Sequence, residues 1–293
     1  MKKIILVPII AGSALLLAGT VLFGVCLANS INAGKSITKT VDVEAYNKLN
    51  IKINTADIEL KVSEDGSRKV VLEETEKLYH TVEVSNNTLS IKSVDAREWY
   101  ERLSFSLAMK VTIYAPKEAY ETSSIEVSTG NIIVPNDYSF TDLNVAASTG
   151  NISLETNAKN INASASTGNI NLNKVNVTED IDVSTSTGHI SFTDVKAKNI
   201  NASASTGHVN LKNTILENNL KIKTSTGDVK FDDSDAHSID VETSTGDVTG
   251  TLLTAKLFDC QSNTGDVRVP APSGDSPCKV RTSTGNINLS VKA

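Results

Sequence analysis

The chain has 293 residues and a net charge of −6, with 28 basic and 34 acidic side chains. Its length allows more than one folding unit, and its acidic balance provides no basic stripe that could bind nucleic acid. Only 4% of the residues are aromatic, a composition typical of a polar, exposed protein.

The first 34 residues predict a membrane anchor. Lys2 and Lys3 precede an uncharged stretch that covers residues 4–28. A membrane-spanning helix needs about 20 apolar residues, whereas the apolar core of a cleaved signal peptide has about 7–15. Residues 4–28 therefore indicate one transmembrane helix of a single-pass cell-membrane protein, with the rest of the chain outside the cytoplasm. Small residues at 28–30 leave cleavage and secretion as the alternative.

Residues 37–122 have no regular repeat but alternate like β-strands. The stretch 48–62 resembles one coil of the repeats that follow, with Ala56 where those repeats have glycine. Residues 81–93 alternate on both sides of an Asn-Asn pair, which indicates a hairpin, and residues 109–118 are typical of a strand. A stack of repeats exposes apolar surface at its first unit, so this β-rich segment is predicted to cap it.

From residue 123 onward, one short turn recurs every 18 to 20 residues. Its glycines are Gly130, Gly150, Gly168, Gly188, Gly207, Gly227, Gly246, Gly265 and Gly285. Ile or Val stands two residues after each glycine, and alternating apolar residues precede it, which is the period of half-buried strands. Each repeat is predicted to consist of a strand, the glycine turn, a second strand and a more variable turn.

The repeat length predicts how these units stack. At about 3.3 Å per residue, one repeat has a perimeter of roughly 64 Å, which two strands and two crossings between packed sheets use up. The predicted fold is therefore all-β, a parallel β-solenoid of nine coils over residues 123–293, right-handed by the crossover rule. A β-sandwich of hairpins is the alternative, but it needs a strong turn signal every 8–12 residues.

The Gly-[Asn/Asp/His]-[Ile/Val] turns, the β-rich segment before them and the leading apolar stretch resemble a family of bacterial cell-envelope proteins. This is the β-strand-repeat family of "putative adhesins", a domain of unknown function. The resemblance covers residues 40–293. It implies a β-repeat fold and an adhesin-like or scaffolding role, and it supplies no active-site residues.

No motif in the sequence points to catalysis. The four histidines fit no zinc-protease or nucleophile pattern, so we expect neither an enzyme nor a cofactor or small-molecule ligand. We predict a non-enzymatic protein whose partner is another envelope protein or a second copy of itself. An extracytoplasmic sensor or regulatory accessory of an envelope response is the alternative function.

The residue after each glycine is a candidate for a cation site, which would bind weakly at most. In sequence order, the candidate ligands are His208, Asp228, Asp247 and Asp266. Stacked aspartates repel unless a cation neutralises them, but calcium needs six to eight oxygen ligands. The principal interpretation is that each is a turn residue, favoured for its backbone hydrogen bond or for its tolerance of positive φ, with no metal bound.

Alternate positions before three of the glycines predict outward serine pairs. They are Ser164 and Ser166, Ser184 and Ser186, and Ser203 and Ser205. Charged residues such as Lys223 interrupt this ladder, which argues against an ice-binding surface. Tyr138 is predicted to be exposed and Phe192 and Phe231 to point inward, so no sugar-binding groove is predicted.

Cys260 and Cys278 lie in consecutive repeats, at positions that differ by two residues along the strand. In register their Cα atoms would be about 8 Å apart, beyond the roughly 7 Å limit for a disulfide. We expect two free thiols, with a disulfide as the alternative.

The last coil, residues 281–293, is predicted to form the open end of the stack. Ile287, Leu289 and Val291 should point inward on its final strand. An unpaired edge of this kind can accept a strand from a partner or a second copy, and these three residues are the predicted interaction edge. The plainer interpretation is that a short terminal strand tolerates exposure.

Overall fold

The computed structural model describes residues 36–99 and 109–292, which form strands, turns and loops. No helix in these two ranges is long and apolar enough to cross a membrane. The transmembrane helix predicted over residues 4–28 lies outside the described residues.

The strands form two sheets, which face each other across one apolar interior. Sheet A consists of β1 Ile37–Asp42, β3 Asp57–Val62, β4 Lys69–Glu74, β7 Lys110–Ala115, β10 Ile132–Val134, β12 Ile152–Leu154, β14 Ile170–Asn173, β17 Ile190–Thr193, β19 Val209–Lys212, β21 Val229–Asp232, β23 Val248–Leu252, β25 Val267–Arg268 and β27 Ile287–Val291. Sheet B consists of β2 Lys48–Thr55, β5 Leu78–Ser85, β6 Thr88–Asp95, β8 Ala119–Tyr120, β9 Ser123–Thr129, β11 Ser139–Thr149, β13 Asn157–Thr167, β15 Asn176–Val177, β16 Asp180–Thr187, β18 Lys196–Thr206, β20 Ile215–Thr226, β22 Ser238–Thr245, β24 Leu257–Thr264 and β26 Pro277–Thr284.

The predicted parallel β-solenoid is confirmed. Strands one repeat apart pair in parallel, so that Ile170 is aligned with Ile152 on one side and with Ile190 on the other. All three side chains are fully buried, and each coil therefore extends the interior of the preceding one. Where an inward position holds threonine, its hydroxyl is satisfied by the neighbouring coil, as Thr185 Oγ1 donates to the Gly168 carbonyl oxygen at 3.2 Å.

Glycine in the recurring turn is required for two reasons. At Gly168 φ is +149°, a conformation that other residues rarely adopt. A Cβ atom at this position would also lie 1.9 Å from the Gly150 carbonyl oxygen in the coil below. The turn thus repeats because consecutive coils touch backbone to backbone at this corner.

The N-terminal segment begins with the predicted degenerate coil. β2 and β3 pair in parallel with β9 and β10, which places Ala56 beneath Gly130. The predicted hairpin is β5–β6, and its turn residues Asn86 and Asn87 have φ of 51° and 58°. The hairpin strand β6 and β7 cover the first coil, and β4 and β5 then add antiparallel strands at the outer end of the stack.

The C-terminal coils stack in a different order from the chain. β26 lies between β22 and β24, and β27 lies between β23 and β25. The prediction that residues 281–293 form the open end, with Ile287, Leu289 and Val291 along an interaction edge, is therefore wrong. Ile287 and Leu289 are buried, and β27 pairs with β23 along its length and with β25 at Ile287 and Asn288.

The inward residues of the two coils differ at the aligned positions of sheet B. The coil of residues 257–268 presents Phe258, Cys260 and Ser262 where the final coil presents Cys278, Val280 and Thr282. The three inward residues of the final coil are buried between two neighbouring coils. The solenoid has about eight turns rather than the predicted nine. In sheet A its outermost coil consists only of Val267–Arg268.

A buried ion pair holds the segment between β23 and β24, where the chain skips the position in the stack that the final coil occupies. Lys256 is 1% exposed, and its Nζ lies 2.6 Å from Asp235 Oδ1 and donates to the Ala236 carbonyl oxygen at 2.6 Å. Asp235 Oδ2 accepts hydrogen bonds from Leu253 N at 3.1 Å and Thr254 Oγ1 at 2.7 Å. Because every group of this cluster is paired, the crossing segment is held in one path.

Candidate functional site

The outward surface of sheet B between β9 and β18 is the main candidate for a binding surface, and we call it the serine face. Small side chains on neighbouring strands of this surface are aligned with one another. Ser184 lies beside Ser164 of β13 on one side and beside Ser203 of β18 on the other. The predicted outward serine ladders are therefore confirmed. Because these side chains are short, the face contains a shallow depression of about 370 Å³. It is lined mainly by Asn54, Ser128, Ala146, Ser148, Ser164, Ser166, Ser184 and Ser186.

Charged pairs border the serine face at both ends. Lys52 Nζ lies 3.4 Å from Glu126 Oε2 on the N-terminal side. On the C-terminal side Lys223 Nζ lies 2.8 Å from Glu242 Oε2, a contact that raises the pKa of Lys223 and lowers the pKa of Glu242. Each border thus carries one positive and one negative charge. The serine face between the borders is polar, and neither sign of charge dominates it.

Amide and carboxylate side chains form a second ladder beside the serine face. Asn160 Nδ2 donates to Asp142 Oδ1 at 2.8 Å, and Thr122 Oγ1 donates to Asp142 Oδ2 at 3.0 Å. These two hydrogen bonds hold the pKa of Asp142 below its ordinary value. In the adjacent column of aligned residues, Asn201 Nδ2 donates to Asp182 Oδ1 at 3.1 Å. Bonds between coils therefore fix the side chains at this margin.

The residues that follow the glycines form a hydrogen-bonded column, which we call the turn column. In each coil the backbone N–H of this residue donates to the side chain of its counterpart in the preceding coil, at 2.6 to 3.0 Å. The column runs Asp57, Asn131, Asn151, Asn169, His189, His208, Asp228, Asp247, Asn286 and Asp266. The interpretation of these positions as hydrogen-bonding turn residues is confirmed for the hydrogen bond, which joins neighbouring coils, whereas none of these residues has positive φ.

The turn column explains why only three residue types occupy these positions. Asn and Asp supply a side-chain oxygen, and histidine supplies a ring nitrogen that carries no hydrogen. His189 Nδ1 accepts from His208 N, and His208 Nδ1 accepts from Asp228 N, both at 3.0 Å. The two rings stack with centroids 4.9 Å apart. Asp57 starts the column, and sequence reasoning missed it because it follows an alanine rather than a glycine.

The four candidate metal ligands lie on the turn column but do not form one cluster. Asn286 separates Asp247 from Asp266, which removes the predicted run of three neighbouring aspartates. Asp228 Oδ1 and Asp247 Oδ1 each accept a backbone N–H, and Asp266 Oδ2 accepts from Arg268. Within residues 36–99 and 109–292, no three His, Cys, Asp or Glu side chains converge closely enough to hold a metal ion.

The family of the chain follows from its repeats. The Toastrack DUF4097 family profile matches residues 46–179 and again residues 170–293. The chain belongs to the Toastrack DUF4097 family. The two matches are not separate bodies here, because β13 pairs with β16 and β14 with β17 across their junction.

Solved structures that align with most of this Toastrack chain have low sequence identity to it. A "putative adhesin" from Bacteroides fragilis is 16% identical, with a TM-score of 0.47 over 88% of this chain and 97% of that one. A "putative lipid binding protein" from Parabacteroides distasonis is 19% identical, with a TM-score of 0.46 over 87% and 97%. A "putative adhesin" from Parabacteroides merdae is 11% identical, with a TM-score of 0.45 over 89% and 97%. No match to a curated protein was found.

Aromatic residues of the Toastrack stack are mostly interior. Phe192 and Phe231 are buried as predicted, but the prediction that Tyr138 is exposed is wrong. Tyr138 is 1% exposed, and its hydroxyl donates to the Ala115 carbonyl oxygen at 3.2 Å. It packs against Tyr120 because the variable turn at this corner folds over the interior.

The two described cysteines are free, as predicted. In the pairing of β24 with β26, Cys260 is aligned with Val280 and Cys278 with Phe258, so the two thiols are offset by two residues. Burial raises the pKa of Cys260 to about 11 and that of Cys278 to about 12. Both therefore remain protonated and poorly reactive near neutral pH.

Sequence reasoning gave no special role to His80, which lies in the N-terminal segment. His80 is 2% exposed, and its backbone N–H donates to Glu74 Oε2 at 2.8 Å. Its ring Nδ1 lies 3.3 Å from the same oxygen. Burial lowers the pKa of His80, while the contact with Glu74 partly opposes that change. No sequence period or motif marks His80 and Glu74 as a pair, because they lie on β5 and β4, the antiparallel strands that each sheet adds at the N-terminal end of the stack.

Proposed function

We propose that this Toastrack chain is a non-enzymatic, adhesin-like protein held at the outer side of the cell membrane, where it contacts another envelope protein. Residues 4–28 are its proposed single membrane-spanning segment, with the stack of coils outside. The observation that carries the proposal is the serine face, a flat and polar surface with a depression of about 370 Å³.

The chemistry of the serine face favours contact over catalysis. A serine nucleophile needs a base and an orienting group beside it, and general acid–base catalysis needs a titratable group close to the substrate. Besides Ser, Ala and Asn, the lining of the depression includes Ile53, Val127 and one charged pair, Lys52 and Glu126, whose side chains contact each other rather than a serine hydroxyl. Short hydroxyl and amide groups of this kind form hydrogen bonds to a polar partner without activating it.

The rigidity of the serine face favours binding. Each of its strands is hydrogen bonded on both sides, and the ladder through Asp142 and Asn160 fixes the side chains at its margin. A surface that is ordered before binding loses little conformational entropy when the partner arrives. The regular spacing of about 4.8 Å between coils offers equivalent groups to an extended segment of the partner.

Site-specific photo-crosslinking in intact cells tests this proposal. A photoreactive residue at Ser184, on the serine face, should capture one envelope protein. The same residue at Asn210, which is exposed on the outward side of sheet A, is the matched control and should not capture it. Equal capture at both positions, or capture at neither, would contradict a contact through the serine face.

Blocking variants give an independent measurement. Ser164→Arg with Ser184→Arg fills the depression with two long side chains that extend into solvent, so the coils should fold unchanged. We expect this variant to lose capture of the partner. Asn171→Arg with Asn210→Arg places the same charges on sheet A and should retain it.

Replacing residues 4–28 by an unrelated membrane-spanning segment separates the contact role from the alternative regulatory role. A protein that acts by contact needs only to be held at the membrane, so its function should survive the exchange. A regulator that signals through its own membrane helix should lose function. Loss in this experiment, with folding and localisation intact, would favour the regulatory role.

A further inference from the structure

The outermost coil, residues 257–268, ends both sheets at the C-terminal end of the stack. Among the described strands, β24 pairs only with β26 and β25 pairs only with β27. The outer backbone groups of both strands therefore lack a strand partner. We call this surface the open end.

Apolar side chains are exposed at the open end. Val267, which is aligned with the buried Ile287 on sheet A, is 41% exposed, and Leu257, on the outward face of sheet B, is 45% exposed. Phe258, Cys260 and Val269 are only partly buried, although their positions face the interior. The apolar lining of the solenoid thus reaches solvent here.

The edge strand β24 contains no lysine or proline and is not short, whereas β25, the edge strand of sheet A, has only two residues, Val267 and Arg268. Protein edges are commonly blunted by lysine, proline, a bulge or a very short strand. β24 is eight residues long, its sequence is LFDCQSNT, and its pairing with β26 is regular. At the other end of the stack, the edge strand β1 carries Lys39.

The charges of the open end are balanced. Asp259 Oδ2 accepts a hydrogen bond from Arg281 at 2.6 Å, and Asp266 Oδ2 accepts from Arg268 at 3.0 Å. The chain as a whole carries a net charge of −6, so its long faces repel a second copy. Two open ends can approach each other without this repulsion.

The open end fits another solenoid end better than a single strand. A partner that extends both sheets must present two strand edges about 10 Å apart, with apolar side chains between them. One added peptide strand would satisfy β24 and leave Val267 and the partly buried residues exposed. A second copy of the same end has the required width and the same lining.

We propose that two copies of this chain associate end to end, with β24 of one copy antiparallel to β24 of the other about a two-fold axis at Cys260. This inference rests on the contact role proposed above and names a second copy as one partner. Since the N-terminal strands lie at the opposite end of each stack, the pair would place its two anchors at its far ends and could join two membrane surfaces.

The register follows from the alternation of side chains. Directly opposed residues of an antiparallel pair point to the same face, so only every second register keeps inward residues inward. Centring on Cys260 places Phe258 opposite Ser262 and Asp259 opposite Gln261. If the axis lies at Asp259 instead, Asp259 of one copy faces Asp259 of the other, and like charges directly opposite are unfavourable. If the axis lies at Gln261, Phe258 of one copy lies opposite Thr264 of the other, an exposed residue at the turn that does not cover the ring.

Sedimentation of the full chain in detergent tests the association. The unmodified chain should be a dimer, and Leu257→Lys with Val267→Lys should be a monomer with unchanged circular dichroism. Ile133→Lys with Ile215→Lys is the matched control, because these residues are 44% and 40% exposed and lie one on each sheet. The control should remain a dimer. An unmodified monomer, or a dimer that survives the open-end variant, would overturn the proposal.

Disulfide crosslinking tests the register. In a chain with its three cysteines replaced, Leu257→Cys and Asn263→Cys lie opposite each other across the proposed interface. Equal mixtures of the two variants should crosslink when diamide accepts the two thiol hydrogens, whereas each variant alone should not, since like positions are about 20 Å apart. Crosslinking of either variant alone would exclude this register.

The outcome is separable from that of the contact role. Leu257 and Val267 lie outside the lining of the serine face. Loss of the dimer with retained capture at Ser184 would therefore leave the serine-face proposal standing, and loss of capture with a retained dimer would leave the open-end proposal standing.

Discussion

Asn286 donates its backbone N–H to Asp247 Oδ1 at 2.6 Å, across 39 residues of chain. Between Asn131 and Asp247, the bonds of the turn column join residues 18 to 20 positions apart. The longer step marks the place where the final coil enters the stack ahead of the coil that precedes it in the chain. Asp266 follows Asn286 and is left at the open end.

The buried pair that holds this crossing should be important for stability. Lys256→Met leaves the buried Asp235 carboxylate without its charged partner, so we expect the free energy of unfolding to fall by about 3–5 kcal/mol. Equilibrium unfolding in urea measures this change. Lys198→Met removes the exposed partner of Glu179, a surface ion pair that solvent screens, and should cost much less than Lys256→Met. Equal losses in the two variants would contradict the role assigned to Lys256.

Substitution of a repeat glycine should be more damaging than substitution of an isolated one. Gly168→Ala must accommodate both φ of +149° and a Cβ atom 1.9 Å from a backbone oxygen. Gly66→Ala has φ of +71° and no atom within 4 Å, so its cost should be the conformational one of about 1–2 kcal/mol. Thermal unfolding of both variants should show a clearly larger loss for Gly168→Ala, and a similar loss would mean that the coils separate easily at this corner.

The period of the sequence predicted the coils but not their order. Apolar alternation and the recurring glycine determine the shape of one coil, and the degenerate coil around Ala56 could be recognised on the same basis. Any two such coils can pair in the same register, so the pattern does not decide which coils are neighbours. Two polar residues at inward positions, Cys260 and Ser262, are the only weak signal of the exchange, because the buried pair of Asp235 and Lys256 has a separation close to one ordinary repeat.

The candidate surfaces were predictable to different degrees. The serine ladders follow directly from alternation, since every second residue of a strand faces outward. The depression they form depends on which small residues become neighbours, and this is a property of the stacking. Tyr138 was misplaced because it lies in the variable turn, where no alternation indicates which way a side chain points.

The turn column predicts which substitutions its positions accept. His208→Asn keeps an acceptor for the Asp228 N–H, whereas His208→Leu does not, and both lose the ring stacked on His189. We expect His208→Leu to be less stable than His208→Asn by about 1 kcal/mol, the net value of one hydrogen bond. Urea unfolding of the two variants measures the difference. Equal stability would show that water replaces the lost acceptor at no cost.

Acid should weaken the N-terminal end of the stack through His80. Burial lowers the pKa of His80 below its ordinary value of 6.5, so the folded state takes up this proton less readily than the unfolded state. The contribution of neutral His80 to stability is thus complete above pH 6.5 and is lost as the pH falls through the pKa of the folded state.

The His80→Gln variant tests this dependence because glutamine does not titrate in this range. Between about pH 7.5 and pH 5, the melting temperature of the unmodified chain should fall further than that of His80→Gln, since only the former must place a proton on a buried ring. His237→Gln removes an exposed histidine and should retain the full decrease. Carboxylates that do not contact residue 80 are the same in all three chains, so the difference between His80→Gln and His237→Gln reports on the buried pair of His80 and Glu74. If the two variants lose the same number of degrees, His80 does not control the acid sensitivity of this end.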